Sequence, residues 1–334
     1  MLSNTLSSIP PGICIERQAG DALELRLTSP VGFGTMKTRF VTPHLAVATV
    51  DFACEVCPIV PFTDKTFLGF WERGVIFTVN LCLEGRCEVS LAGNGYAIVK
   101  PGDFCVSCTD AAPEEYRYPL GRYRGIEVLA HSGCVNDPEF RILQADGLDL
   151  VASVRKAGVA AIYAGDAEFN KLMKRIGDAQ SSARLAYESL GLLLALCELD
   201  LSEARPPTLL TRSQMAIART VRERLDADLS ARHDVRDFAR EFEVSATTLN
   251  NYFSAAYGQT VAAYLRRRRI ERAAIMLAGG SDIASAALSV GYENPSKFTA
   301  AFKRLYETTP SEYRRKAQLE SQYPSAGGSM HWRG

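Results

Sequence analysis

One pattern is written twice in this chain. Leu249, Phe253, Tyr257, Thr260 and Tyr264 recur 49 residues later as Phe298, Phe302, Tyr306, Thr309 and Tyr313. Upstream the offset is 48, from Ala239 to Ala287, so the second copy has one more residue in its turn. A repeat of this length can mark a solenoid, but two copies are too few to build one. The alternative is a pair of small helical units, each with its own apolar face.

The second copy, residues 283–315, is the more explicit. Ser281 is placed to cap a short helix from Asp282, offering its oxygen to orphan N–H groups. Ile283, Ala286, Ala287 and Val290 share one face at i, i+3, i+4, i+7 spacing. Gly291 permits a tight turn, Asn294 caps a second helix, and Pro295 suits its first position. Phe298, Phe302 and Leu305 return to the same small core, while Thr299, Ala300 and Lys303 point away. Two short helices around a glycine turn describe a helix-turn-helix, whose second helix is shaped for a DNA major groove. Between the copies, residues 261–278 predict a helix ended by Gly279-Gly280. It is roughly 27 Å long, a spacer that can hold two recognition helices about one DNA turn apart.

On LNNYFSAAYGQT in the first copy, and on Ile283, Ala287, Gly291-Tyr292, Phe298, Phe302-Lys303, Thr309-Pro310 and Tyr313-Arg314 in the second, residues 213–315 resemble the DNA-binding domain of AraC/XylS-type transcription regulators. The resemblance implies base reading by Thr247, Asn250 and Asn251 in the first motif. In the second it implies Ser296, Lys297, Thr299 and Ala300. Asn can pair bidentately with adenine, and Thr can meet a thymine methyl. Phosphate contacts are expected from Arg266, Arg267, Arg268, Arg269, Lys303, Arg304, Arg314 and Arg315, with part of the arginine run pairing with Glu271 or other acids instead. This sequence departs from the family where Asn251 and Ser254 replace basic residues and where Glu307 replaces glycine. Because Glu307 aligns with Gly258, it is expected in the left-handed conformation.

Overall charge is zero, but it is unevenly spread. Residues 1–204 carry 18 basic and 25 acidic side chains, a net −7, and residues 205–316 carry 19 and 12, a net +7. The basic half fits a polyanionic partner. The first residues lack a basic start and an apolar run, and no apolar stretch is long enough to span a bilayer; a cytoplasmic protein is expected.

Residues 1–20 are expected to be disordered. From 21 to 163 short strands predominate, at 22–27, 75–83, 88–91, 96–99, 104–107, 116–118 and 123–130, with an edge strand at 159–163. Lys100-Pro101-Gly102-Asp103 is a turn, and Glu84-Gly85 predicts a two-residue hairpin that sets Cys82 opposite Cys87. This spacing fits a small barrel or jelly roll. It resembles the cupin-like sensor domain that precedes AraC-type DNA-binding domains, and CLEGRCEVSLAGNGYAIVKPGDF resembles pyochelin-type siderophore-responsive regulators. Phe70, Trp71, Phe77, Tyr96, Phe104 and Tyr118 could line a ligand pocket, with core packing as the alternative. Residues 164–203 predict two helices, the second apolar over more than one face and suited to dimerisation. Residues 204–212 form a linker opened by Pro206-Pro207, 213–316 the DNA-binding domain, and 317–334 a disordered tail.

Two CxxC pairs, Cys54/Cys57 and Cys105/Cys108, raise a metal or redox reading. Both sit in strand-like segments, where i and i+3 face opposite sides. None of the four histidines is spaced as H-x-H, and no phosphate loop or nucleophile elbow is present. The expected protein is therefore α+β and not an enzyme, with no cofactor or metal. It carries a cupin-like sensor barrel, a helical dimerisation segment and an all-α double helix-turn-helix. Its expected partners are double-stranded DNA, a second copy, a small-molecule effector and, for an activator, RNA polymerase. The rival readings are a redox- or metal-sensing regulator and a ligand-free regulator controlled by abundance.

Overall fold

The structure is a computed structural model that describes residues 12–19, 21–57, 76–91, 95–109, 116–145, 147–155, 161–165, 167–199 and 208–322. The chain forms two compact units, Met1–Arg212 and Ser213–Gly334.

The first unit is built on antiparallel strands. These are β1 (Ile13–Ala19), β2 (Ala22–Leu27), β3 (Phe33–Thr42), β4 (Leu45–Ala53), β5 (Ile76–Gly85), β6 (Cys87–Leu91), β7 (Gly95–Val99), β8 (Phe104–Thr109), β9 (Tyr123–His131), β10 (Ala161–Tyr163) and β11 (Thr208–Thr211). An eight-stranded sheet has the order β1-β2-β3-β4-β9-β5-β8-β10, and a three-stranded sheet the order β11-β7-β6. Helices α1 (Arg141–Ala145), α2 (Leu150–Arg155), α3 (Ala167–Asp178) and α4 (Ser182–Glu198) complete the unit.

Period-two alternation divides the large sheet's side chains between two cores. On one face Phe77, Val79, Leu81, Val128 and Ala130 pack with Phe169, Met173, Ile176, Leu185, Leu192 and Leu196 of α3 and α4. On the other, Leu23, Leu25, Met36, Val50 and Phe52 join Cys87, Val89, Ala97 and Val99 of the small sheet. Arg175 and Arg184 both pair with the buried Glu188, tying α3 to α4. The apolar breadth of α4 is absorbed largely within the unit: Leu190, Leu194 and Cys197 pack against the core, whereas Tyr187 is exposed.

Several expectations need correction. Residues 13–19 are not disordered; they pair with β2. The supposed linker contains β11, which pairs with β7 through Leu209↔Ala97 and Leu210↔Tyr96 and runs directly into the next helix. Residues 317–322 continue a helix rather than a disordered tail. The Glu84-Gly85 hairpin does not form: β5 and β6 belong to different sheets, and Cys82 pairs with Gly125 rather than Cys87. Gly85 has φ +85, and a Cβ there would lie 2.1 Å from the Arg122 carbonyl oxygen. Its glycine serves a close approach to β9 beside a bulge, not a tight turn.

The second unit is helical: α5 (Arg212–Ala227), α6 (Val235–Glu241), α7 (Ala246–Tyr257), α8 (Val261–Ala278), α9 (Ile283–Ser289), α10 (Pro295–Tyr306) and α11 (Pro310–Gln322). The long spacer helix has the bounds expected from the sequence. Met215, Ala218, Val221 and Leu225 are the buried stripe of α5.

Candidate nucleic-acid interface

Each repeat supplies two helices and an aromatic anchor. In the first, the Asp234 carboxylate accepts from the Arg236 N–H to start α6, and Ser245 Oγ accepts from the Thr248 N–H to start α7. In the second, Asp282 rather than Ser281 caps α9, accepting from the Ser285 N–H at 2.9 Å. Asn294 caps α10 by accepting from the N–H groups of Ser296 and Lys297, with Pro295 in the first turn.

Behind the recognition helices the repeated aromatics form matching triads. Phe253, Tyr257 and Tyr264 have ring centroids 4.6, 5.3 and 5.9 Å apart. Phe302, Tyr306 and Tyr313 are spaced at 4.9, 5.4 and 5.0 Å. Such contacts add to the burial of large apolar faces and fix the roll of α7 and α10, deciding which residues face outward.

On α7 the exposed residues include Thr247 and Asn251. Asn250 is turned inward, and its side-chain oxygen accepts from the Val261 N–H at 3.1 Å, capping α8. This corrects its expected outward role. On α10, Ser296, Lys297, Ala300, Lys303 and Arg304 are exposed and Thr299 is half-buried. The second recognition helix is thus ringed by cations, whereas the first presents uncharged polar groups.

The arginine run divides by partner. Arg267 donates to Glu271 at 2.6 Å, and Arg268 bridges Asp226 and Glu271 at 2.9 and 3.0 Å. Arg269 donates to the carbonyls of Leu229 and Ala231 at 2.7 and 2.8 Å, anchoring the loop before α6. Arg266 is exposed and borders a cleft of about 510 Å³ shared with Arg232, His233 and Tyr292. Arg314 donates to the Gly280 carbonyl, and Arg315 is exposed. Reasoning from sequence did not find Asp226, which also accepts from the Tyr264 hydroxyl at 2.8 Å.

The expected aromatic pocket of the first unit does not assemble. Phe77 and Phe104 lie in the helix-covered core, with Phe104 stacked on Phe169 at 3.9 Å. Tyr118 belongs to the opposite core, stacked on Tyr123 at 4.5 Å, and Tyr96 is half-buried on β7. Phe70 and Trp71 lie outside the described residues. Burial pushes the thiols of Cys54 up to about 11 and of Cys57 and Cys105 up to about 12. A thiol raised in this way is a weak nucleophile for redox exchange. The Cys108 side chain is not described. Among the described residues no helix is long and apolar enough to cross a membrane.

A double helix-turn-helix with one polar and one basic recognition face defines a DNA-binding type of domain. Residues 238–316 match the family described as a helix-turn-helix domain. The chain is 44% identical over 82 residues to an AraC-like transcription regulator of Streptomyces lividans, covering 24% of this chain and 27% of that protein. It is 30% identical over 91 residues to the transcriptional activator RhaR of Mannheimia succiniciproducens, covering 27% and 33%. The solved DNA-binding domain of AdpA in complex with a target DNA is 22% identical, with 33% of this chain and 97% of that chain covered and a TM-score of 0.29. The C-terminal unit therefore contains a helix-turn-helix domain, similar to that of AraC-like transcription regulators. The chain spans only about a third or less of the length of these curated relatives.

Proposed function

We propose that this chain is a sequence-specific DNA-binding transcription regulator. The observation that carries the reading is the pair of aromatic-anchored recognition helices joined by an 18-residue helix, one polar and one cationic on its exposed face. Phosphate contacts fall to Arg266, Lys303, Arg304 and Arg315. Arg267, Arg268, Arg269 and Arg314 mainly hold the frame, each spending donors on internal partners. Base reading falls to Thr247 and Asn251 in the first motif and to Ser296, Lys297, Thr299 and Ala300 in the second. In this reading the first unit is a cupin-like sensor, α4 with its exposed Tyr187 contributes to a homodimer, and the protein acts in the cytoplasm. It recruits RNA polymerase where it activates. Protonated thiols favour ligand sensing over redox sensing.

Selection of a duplex from a random library, followed by fluorescence anisotropy over a salt series, tests this. A selected site should bind about 10³-fold or more tighter than random DNA. Equal affinity for all duplexes would overturn sequence-specific regulation.

A further inference from the structure

The two motifs carry their positive charge in different places. Helix α10 bears Lys297, Lys303 and Arg304, whereas α7 has no lysine or arginine. Upstream the balance is reversed. Asp234 and Asp282 cap the first helix of each motif and correspond in the repeat. Just before Asp234 stand Arg232 and His233; the matching residues before Asp282 are Gly280 and Ser281. The motif without cations on its recognition helix thus has them at its entrance.

That entrance is held in place. The Asp228 carboxylate accepts from the N–H groups of Ser230 and Ala231 at 2.9 and 3.1 Å. His233 Nε2 donates to the Asp228 carbonyl at 2.7 Å, and Arg269 of α8 donates to the carbonyls of Leu229 and Ala231. The turn of the second motif packs on the same loop, since a Cβ on Gly291 would lie 2.6 Å from the Ser230 carbonyl oxygen. The loop, α8 and that turn border the cleft of about 510 Å³. Its floor includes the buried Val261 and Leu265, and the exposed Arg232 and Arg266 stand at its rim. Asp234, the acid among the described lining residues, is engaged by the Arg236 N–H.

Recognition helices set in successive major grooves on one face leave the minor groove between them, bordered by the two phosphate strands. Helix α8 joins the motifs, so the cleft beside it lies between them. Tyr292 lines it just before the Asn294 cap of α10, at the end of the recognition helix that meets base edges. Its opposite wall opens α6, and the first helix of such a motif crosses the backbone. We propose that Arg232 and Arg266 grip DNA phosphates between the two major-groove segments, with His233 and Arg269 positioning the loop. The cleft then supplies the phosphate contact that the first recognition helix lacks. Guanidinium groups suit this work, because their planar donors match phosphate oxygens in pairs. The inference rests on reading the chain as a DNA-binding regulator and adds Arg232 to the phosphate contacts of that reading. A contact of this kind carries no base information, so it strengthens every duplex alike.

The test is fluorescence anisotropy of the full chain on a selected duplex and on random DNA over a salt series. Arg232→Ala should weaken both duplexes alike and lower the salt slope by about 1, and adding Arg266→Ala should lower it by about 1 more. Arg232→Lys should keep the slope. The slope counts phosphate contacts rather than folded protein, so a destabilised variant still answers. A selected duplex with neutral methylphosphonates between its half-sites should bind the unchanged chain more weakly, and Arg232→Ala should then cause no further loss. An unchanged slope in both alanine variants would overturn the proposal and leave the DNA-binding reading standing. Losses from mutation and methylphosphonate that simply add would do the same. So would inorganic phosphate that raises the melting temperature through Arg232 while the slope stays fixed, which would give the cleft to a free anion. A chain that binds no duplex at any salt would remove the DNA-binding reading together with the proposal.

Discussion

The two helix-turn-helix motifs solve the same backbone problem with opposite residues. Each needs one left-handed residue in its turn and another at the end of its recognition helix. The first motif uses Glu243 at φ 54 and Gly258 at φ 76; the second uses Gly291 at φ 78 and Glu307 at φ 57. The closing hydrogen bonds are the same at the helix ends, from Gly258 N–H to Ser254 and from Glu307 N–H to Lys303. The conformation is thus imposed by the fold, and glycine is indispensable only where space demands it. At Gly291 a Cβ would lie 2.6 Å from the Ser230 carbonyl oxygen and 3.0 Å from the Arg269 guanidinium. Glu243 and Glu307 point into solvent.

The largest effect should come from removing the glycine that has no room. Gly291→Ala combines left-handed strain with a backbone clash and should destabilise the helical unit by roughly 2–4 kcal/mol. Gly258→Ala carries strain and should cost about 1 kcal/mol. Chemical denaturation midpoints measure both, and equal losses would break the distinction between the motifs.

Next in size is DNA reading. Asn251→Ala should cost about 1–3 kcal/mol on a selected duplex and far less on random DNA. Lys303→Ala should weaken all duplexes alike and lower the salt slope by about 1. The repeat aligns Ser254 with Lys303, so Ser254→Lys should restore a slope lost at Lys303. Anisotropy over a salt series checks all three, and an Asn251 effect equal on both DNAs would remove base reading from the first motif.

A smaller difference lies after each recognition helix. Thr309 and Glu312 form a reciprocal cap: the Thr309 N–H donates to Glu312, whose own N–H donates to Thr309 Oγ1. The first motif has Thr260 but Ala263 in place of the acid. The Thr309 N–H, then the hydroxyls of Thr309 and Thr308, draw the Glu312 carboxyl down to about 2. Its folded value is depressed, so its stabilisation is present above the unfolded carboxylate value and lost as pH falls toward about 2. Amide exchange at the start of α11 should therefore rise in acid before exchange at the start of α8. Glu312→Gln should abolish that difference.

The second motif was legible because its signals are local: a cap, a proline, a glycine turn and an aromatic repeat lie within a few residues of the structure they specify. The strand positions of β2, β5, β7, β8 and β9 were legible from alternation for the same reason. What sequence could not supply was pairing between distant segments. Residues 208–211 read as a linker after two prolines, yet they complete the small sheet against β7. Cys82 and Cys87 looked like hairpin partners because nothing local reveals that the chain changes sheets between them. Phe77 and Tyr118 looked alike as aromatics, and only the tertiary fold separates them into opposite cores. Glu127 did leave a trace, a charge inside the run Ile126–Ala130, but the Asn80 amide that donates to it at 3.1 Å comes from another strand.

The smallest expected effect is also the most direct test of the exchanged glycines. Left-handed backbone costs an ordinary residue about 1 kcal/mol or more. Glycine there escapes that strain but gives the unfolded chain more freedom, which offsets part of the gain. Glu307→Gly and Glu243→Gly should therefore each stabilise the helical unit by up to about 1 kcal/mol. The two sites lie in different motifs and should add. Because Glu307 ends the recognition helix that carries Lys303 and Arg304, its replacement should also slow amide exchange in the last turn of α10. A lower denaturation midpoint in either variant would mean that the glutamate side chain makes a compensating interaction. The left-handed sites would then not be equivalent between the two motifs.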